Sequence, residues 1–256
     1  MLSVKTAPVI VTVNKEKEIE TFKETTYMLV CPHCGTKYYS LATINGRWLC
    51  YNCHYDFGPE PEKFPWRKVK VDAVKCPECY GLVKCISDNF AFWSKTPILI
   101  CPECNILVAV KYKGKWRLPE AFLKCEGRSG LQHVNGQRDT ITLKILNHQA
   151  RKENIEFKII EPRKSAVLWV DGEAVGYFFS YKLKGQPCLG QIYVRPEFRR
   201  RGYATYMIQE WLRQNSGHVI FESPNGITMH ILEKLGLVRL EGEYYVSTGR
   251  ASFVSF

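Results

Sequence analysis

Apolar positions recur along this chain at two different periods, and the switch between them outlines its elements. Ala166–Val170, Glu173–Lys184, Leu189–Val194 and Val219–Phe221 are β-type runs, with an earlier one at Ile155–Ile160. Between them, Ala204, Met207, Ile208, Trp211 and Leu212 fall on one helical face, as do Ile227, Ile231, Leu232 and Leu235. Asp171-Gly172 is a strong two-residue hairpin signal. Pro196 ends a strand, Gly202 opens the first helix, and Gly236 closes the second. Val238–Leu240 and Tyr244–Val246 are expected to finish the sheet. The order predicts an α+β domain over 151–256, a mixed central sheet with flanking helices. Residues 119–150 read as a junction. Glu126–Gly130 and Val134–Gly136 are turn signals there, and Thr140–Ile145 alternates like a strand that would supply the first member of the sheet.

The N-terminal half has a different grain. Val9–Val13 reads as a strand or extended arm, followed by the mixed-charge stretch Lys15–Glu20. Cys31-Pro-His-Cys34 and Cys50-Tyr-Asn-Cys53 then flank fifteen residues that can form a hairpin across Asn45-Gly46. Beyond the proline-rich linker Gly58–Pro65, Cys76-Pro-Glu-Cys79 and Cys101-Pro-Glu-Cys104 repeat the unit around Phe90-Ala-Phe-Trp93, with a strand Ile106–Tyr112 after them. A C-x-x-C turn puts two thiolates on one side of a tight knuckle, and two knuckles supply four sulfurs to a tetrahedral ion. Both units resemble zinc ribbons, which implies two Zn²⁺ held by Cys31, Cys34, Cys50 and Cys53 and by Cys76, Cys79, Cys101 and Cys104. Sulfur ligands alone leave iron open. His33 and His54 adjoin ligands, but four cysteines already complete each site. The expected layout is an arm and first ribbon over 1–65, a second ribbon over 66–118, the junction over 119–150 and the larger domain over 151–256.

Composition sharpens the partner class. The formal net charge of +11 is spread over both halves and favours an anionic partner, nucleic acid first. Trp48, Trp66-Arg-Lys68, Trp93-Ser-Lys95 and Lys111–Arg117 interleave rings with cations, a pattern suited to stacking on unpaired bases beside backbone neutralisation. Eight of the eleven cysteines form C-x-x-C pairs, and the N-terminus has no signal-type apolar segment, which points to a reducing, intracellular, cytoplasmic setting. No run of eighteen apolar residues exists, so no membrane span is expected. Cys85, Cys125 and Cys188 are left as small buried residues.

The stretch Ile192–Met207 carries the chemistry. A strand feeding a glycine turn at a helix N-terminus aims unpaired N–H groups and the positive end of the helix dipole at one point, a seat for phosphate or pyrophosphate. Arg199-Arg-Arg-Gly-Tyr-Ala204 resembles the R/Q-x-x-G-x-G/A signature of the GNAT superfamily of acyl-CoA-dependent N-acyltransferases, and Val194-Arg-Pro-Glu-Phe198 its lead-in. Asn225–Leu237 looks like that family's N-x-x-A-x-x-L-Y-x-x-x-G-F helix. The resemblance implies acetyl-CoA or another acyl-CoA as cosubstrate. By it, Arg200, Arg201, Gly202, Tyr203 and Ala204 surround the pyrophosphate, with Arg199 and Thr205 also counted in the cofactor seat, backbone groups of Tyr193 and Val194 orient the thioester, and Asn225 helps hold the pantetheine arm. As a plain sequence feature, Asn225 is also a helix N-cap.

Three departures from the family stand out. Leu232 takes the position of the tyrosine that protonates the leaving thiolate, and Cys188 the position where several relatives carry a glutamate base. The helical segment that relatives place between their first two strands is expected to be absent or very short before Ala166. Glu173, Glu222, Tyr244 and Tyr245 are the candidates to supply acid–base chemistry instead, with His230 if it faces the cleft. The implied activity is acyl transfer to a macromolecular amine, on nucleic acid (a base or an aminoacyl-tRNA, with DNA also open) or on a protein lysine or N-terminus, with the ribbons recruiting the acceptor. The competing reading is a nucleic-acid- or protein-binding adaptor whose transferase fold serves as scaffold or acyl-CoA sensor.

Overall fold

The computed structural model describes residues 19–38, 43–44, 46–50, 52–85, 98–154, 157, 164–215, 217–241 and 244–254. Contacts within the chain fall into two compact units, one within Glu16–Pro119 and one running from Glu120 towards the C-terminus. Among the described residues, no helix is long and apolar enough to cross a membrane.

In the Glu16–Pro119 unit, strands β1 (Phe22–Val30), β2 (Lys37–Tyr38), β5 (Trp66–Lys75) and β6 (Leu82–Lys84) form a four-stranded sheet in the order β2-β1-β5-β6. β1 runs into the first knuckle and β5 into the second, and the two pair antiparallel from Phe22↔Ala73 to Leu29↔Trp66. The two cysteine modules therefore hang from one sheet. β3 (Thr43–Ile44) and β4 (Arg47–Trp48) form the hairpin inside the first module. β7 (Ile98–Ile100), β8 (Leu107–Tyr112) and β9 (Lys115–Arg117) form a three-stranded sheet in the second. The expected arm at Val9–Val13 and the Phe90–Trp93 segment lie outside the described residues.

The C-terminal unit is built on a six-stranded mixed sheet ordered β10-β11-β12-β13-β14-β17. Its strands are β10 (Gly130–His133), β11 (Ser165–Val170), β12 (Glu173–Leu183), β13 (Gln186–Val194), β14 (Val219–Glu222) and β17 (Ala251–Val254). β10 to β13 are antiparallel neighbours, whereas β13 pairs with β14, and β14 with β17, in parallel. Asp171-Gly172 and Lys184-Gly185 take left-handed backbone angles at both positions (φ 49° and 78°, 49° and 82°), which closes the two hairpins tightly. Helices α3 (Tyr203–Gln214) and α4 (Gly226–Lys234) contribute Met207, Ile208, Trp211 and Leu232 to a core shared with Ala166, Leu168, Val175, Phe178, Leu189 and Phe221. Trp211 meets Phe221 edge-on at 5.6 Å, an aromatic pair that ties α3 to β14.

Three expectations fail in this unit. Thr140–Ile145 is not a strand, and the segment ahead of Ala166 is not without a helix. Gly136–Glu153 is an 18-residue helix, α2, between β10 and β11. Its alternation misleads because α2 is enclosed on more than one side. It packs on β11, β12 and β13 and also on the short helix α1 (Glu120–Leu123). Ile141, Thr142, Leu143, Ile145 and Leu146 are consequently all buried. Tertiary contact overrides the β-preference of the Thr/Ile run. Thr142 Oγ1 donates to the Phe122 carbonyl at 2.8 Å, and the Asn135 N–H is accepted by Asp139 Oδ2 at 3.1 Å at the helix start. The third correction concerns the end of the sheet. β15 (Val238–Glu241) and β16 (Tyr244–Ser247) form a separate antiparallel ribbon, and β17 takes the edge position beside β14. Apart from Phe157, the expected strand at Ile155–Ile160 lies outside the described residues.

Two substitutions test this packing. A Cβ on Gly176 would sit 2.2 Å from the Tyr193 carbonyl oxygen, so Gly176→Ala is expected to cost about 1–3 kcal/mol, read from a urea midpoint. Burial lowers the Lys144 ammonium on α2 to about 8. The folded chain thus holds this proton less tightly than the unfolded chain, and the cost to stability is full below that value. It fades as pH rises towards the unfolded value of about 10.4. Lys144→Met should therefore be the more stable protein at pH 7, with the gap closing above pH 8 in denaturation series.

Candidate acyl-transfer cleft and metal centres

The candidate acyl-transfer site begins with a break in a ladder. β13 and β14 pair only at Cys188↔Ile220 and Leu189↔Phe221, although β13 continues to Val194. On its other side β13 stays paired with β12, but the register slips there. Phe179 faces Gln191 and Ser180 faces Leu189, which leaves Gly190 as the extra residue of a bulge. A bulge bends and twists its strand, and here it coincides with the point where β13 and β14 part. The opening is a cleft of about 470 Å³. Leu189 to Ile192 form one wall, Phe221 to Asn225 with Thr228 the other, and Asn154 and Phe157 beyond the end of α2 close a side.

One end of this cleft is held by Asn225, whose Oδ1 accepts from the Thr228 N–H at 2.9 Å. Asn225 is thus the N-cap of α4 and a cleft residue at once. Tyr193 and Val194 follow the cleft-lining Ile192 on β13 and are buried. The Tyr193 phenol donates to Glu153 Oε1 at 2.5 Å, and burial and that carboxylate both raise its pKa.

Past Val194, a 3₁₀ turn at Pro196–Phe198 leads into the arginine run. The three arginines are not equivalent. Arg199 is exposed but tethered, its Nε donating to the Val194 carbonyl at 2.9 Å and its guanidinium ion-paired with Glu153. Arg200 is exposed on a left-handed backbone (φ 60°), and Arg201 is exposed with its guanidinium 5.6 Å from the Phe198 ring. Gly202 caps α3 at φ 80°, a conformation that favours glycine, with open space where a Cβ would stand. Tyr206 N–H makes the bond back to Gly202, so the amides of Tyr203, Ala204 and Thr205 belong to the open first turn. That turn can take an anion.

Of the four acid–base candidates, Glu222 lines the cleft. Glu173 starts β12 and pairs with Lys124 at 3.2 Å. Tyr244 and Tyr245 lie on the β15–β16 ribbon. His230 is exposed on α4, and Leu232 is fully buried in the core. Cys188 is also buried, and desolvation pushes its thiol up. Sequence reasoning missed Gly190, Gln191, Asn154, Phe157 and Tyr181, whose phenol donates to Glu222 at 2.8 Å. One signal was available, since a lone glycine inside a strand pattern marks a bulge or a close approach.

The eight cysteines come together in two groups of four, with the sulfurs of each group within 4.8 Å of one another. Individual separations are 3.6 Å (Cys31–Cys53 and Cys34–Cys50), 3.4 Å (Cys76–Cys104) and 3.6 Å (Cys79–Cys101). Thiolates around a metal at about 2.3 Å stand roughly 3.8 Å apart along the edge of a tetrahedron. The spacing suits that arrangement and is too long for a disulfide bond.

All four knuckles use the same backbone scheme. The leading cysteines Cys31, Cys50, Cys76 and Cys101 each accept from the N–H four residues on and donate to the carbonyl five residues on. The fourth residue is left-handed each time: Gly35, His54, Tyr80 and Asn105. His54 therefore occupies a turn position of the knuckle. His33 is exposed.

Residues 137–237 match the family model described as the Acetyltransferase (GNAT) family, and the C-terminal unit carries a GNAT domain. The two four-cysteine clusters fit zinc-ribbon-like modules. A crystal structure of a proposed acetyltransferase from Pyrococcus horikoshii matches at 15% identity, covering 41% of this chain and 35% of that one with a TM-score of 0.27. The chain thus spans about a third of that relative's length. No curated protein sequence matches the chain.

The metal centres can be tested directly. Elemental analysis of the purified protein should find two thiolate-bound ions per chain, and Cys101→Ser should retain one. Because such ions contribute on the order of 10 kcal/mol each to small modules, strong chelation should unfold the Glu16–Pro119 unit, seen as loss of its circular dichroism and amide protection.

Proposed function

We propose that the C-terminal unit transfers an acetyl or other acyl group from acyl-CoA to an amine, and that the amine belongs to a macromolecule presented with the help of the cysteine modules. The observation that carries this reading is the parting of β13 and β14 into a cleft bounded by Gly190 and Asn225. With it stands the open first turn of α3, beside the exposed Arg200 and Arg201. The phosphates would lie on the α3 amides and these two arginines, and the pantetheine arm would run along the β13 edge towards Asn225. Arg199 has a supporting task, since its charge is committed to Glu153. The amine nitrogen attacks the thioester carbon, a C–N bond forms, the C–S bond breaks and CoA leaves as the thiol. Holding the two reactants together supplies most of the acceleration.

The acceptor we favour is nucleic acid, a tRNA base or an aminoacyl-tRNA amine. The net charge of +11 supports this, as do exposed rings among cations on the β1–β5 sheet. There Lys68 lies 5.6 Å from the ring of Tyr27, which is 56% exposed, and Trp66 precedes Arg67. A second reading, an adaptor whose transferase fold only binds acyl-CoA, draws on Leu232 and Cys188, which put apolar groups at the family's acid and base positions.

Calorimetry with acetyl-CoA is expected to give a dissociation constant in the micromolar range. Arg200→Ala/Arg201→Ala should weaken it about tenfold and Gly202→Pro should abolish it. Labelled acetyl-CoA incubated with tRNA, DNA and histone-like protein should mark tRNA first. Label on protein alone would move the acceptor to a lysine or N-terminal amine. Absence of acetyl-CoA binding would remove the transferase reading altogether.

A further inference from the structure

The cleft wall contains an arrangement that binding an acyl-CoA does not require. Tyr181 on β12 and Glu222 on β14 belong to strands on opposite sides of β13, yet their side chains meet across it, with the phenol donating to Glu222 Oε2 at 2.8 Å. They reach each other because the intervening residue is the bulge glycine. A Cβ on Gly190 would lie 2.9 Å from Tyr181 Cε1 and 3.0 Å from Glu222 Oε2. Phe179 stacks on Tyr181 at 5.6 Å with planes 22° apart, which fixes the plane of the donor ring. Cys188, directly opposite Tyr181 in the register, is buried and held as the neutral thiol by desolvation. Burial first, and the bond to Glu222 second, keep the Tyr181 phenol protonated. Glu222 is therefore the member of this cluster that both lines the cleft and can accept a proton.

We infer that Glu222 is the proton acceptor for the incoming amine, with Tyr181 its positioning residue through the gap over Gly190. Glu222 would take over the role of the family's base position, held here by Cys188. The inference rests on the acyl-transfer reading above. An aliphatic amine, such as that of an aminoacyl-tRNA, arriving as ammonium gives one proton to the Glu222 carboxylate, and the freed lone pair attacks the thioester carbon. As the C–N bond forms and the C–S bond breaks, sulfur takes the bonding electrons and the second nitrogen proton ends on the CoA thiol. Glu222 then returns its proton to solvent. Tyr181 keeps its own proton throughout and holds the carboxylate against the cleft wall.

The test uses the full chain, acetyl-CoA and whichever of the tRNA, DNA or protein pools takes up label, tRNA first. Acetyl-CoA affinity by calorimetry serves as the check on folding. Glu222→Gln should lower kcat by 10²-fold or more, and Tyr181→Phe by roughly tenfold, with KM for acetyl-CoA within about twofold of the parent in both. The double variant should be no slower than Glu222→Gln alone, because a positioning group has nothing left to position. Parental kcat in Tyr181→Phe, multiplicative losses in the double variant, or a loss traced to acetyl-CoA binding would each overturn the assignment. A parent chain that binds acetyl-CoA but transfers nothing would overturn it too, leaving acyl-CoA binding intact. One that fails to bind removes the function itself.

Discussion

The C-terminal unit depends on two strands that pair briefly and then separate. Cys188↔Ile220 and Leu189↔Phe221 are the two register pairs between β13 and β14, and the cleft exists because the ladder goes no further. Parting two central strands exposes backbone groups that a continuous sheet would satisfy, so the surroundings must hold the strands open. Three features do so here. The Gly190 bulge bends β13 away, and the Trp211–Phe221 contact ties β14 to α3. Asn225 begins α4 directly beyond β14 and turns the chain away from the sheet.

The same opening brings together groups far apart in sequence. Glu153 at the end of α2 binds both the Tyr193 phenol and the Arg199 guanidinium. The strand wall, the last turn of α2 and the arginine run are thereby linked through one carboxylate. All three arginines are exposed, but Arg199 is tied to Val194 and Glu153 and braces the loop that presents Arg200 and Arg201 at the α3 start. A charge-only account of the arginine run would have counted all three alike.

The Glu16–Pro119 unit solves a different problem with repetition. Its strands are short, and its buried residues form small clusters around the cysteines, among them Leu29, Cys31, Cys50 and Phe64 in one and Val74, Cys76, Leu99 and Cys101 in another. Cores of this size rarely hold a fold alone. Four identical knuckle turns bring the sulfurs within bonding distance of a common centre, and the β1–β5 pairing joins the two groups through one sheet.

Much of this was legible along the chain because it depends on local chemistry. C-x-x-C spacing produces a knuckle wherever a left-handed fourth residue can be accommodated. Asp171-Gly172 closes a hairpin, and the stripe Met207, Ile208, Trp211 declares a helix with one buried face. α2 was not legible, because a helix enclosed by a sheet and by α1 buries most of its circumference and loses the one-sided stripe that marks a helix. Nor could sequence reading say which strand closes the sheet, since β15, β16 and β17 all look like strands and their partners are chosen by packing. The meeting of Tyr181 with Glu222 was equally hidden. They stand 41 positions apart in sequence, and only the register of three strands, with a glycine at the crossing, puts them in contact. Sequence alone determined the turns, the cysteine clusters and the glycine-led start of α3, where neighbours in the chain are neighbours in space. The tertiary structure decided the cleft and the meeting of Tyr181 with Glu222 in its wall, because strand register is set by the burial of whole faces and not by any single residue.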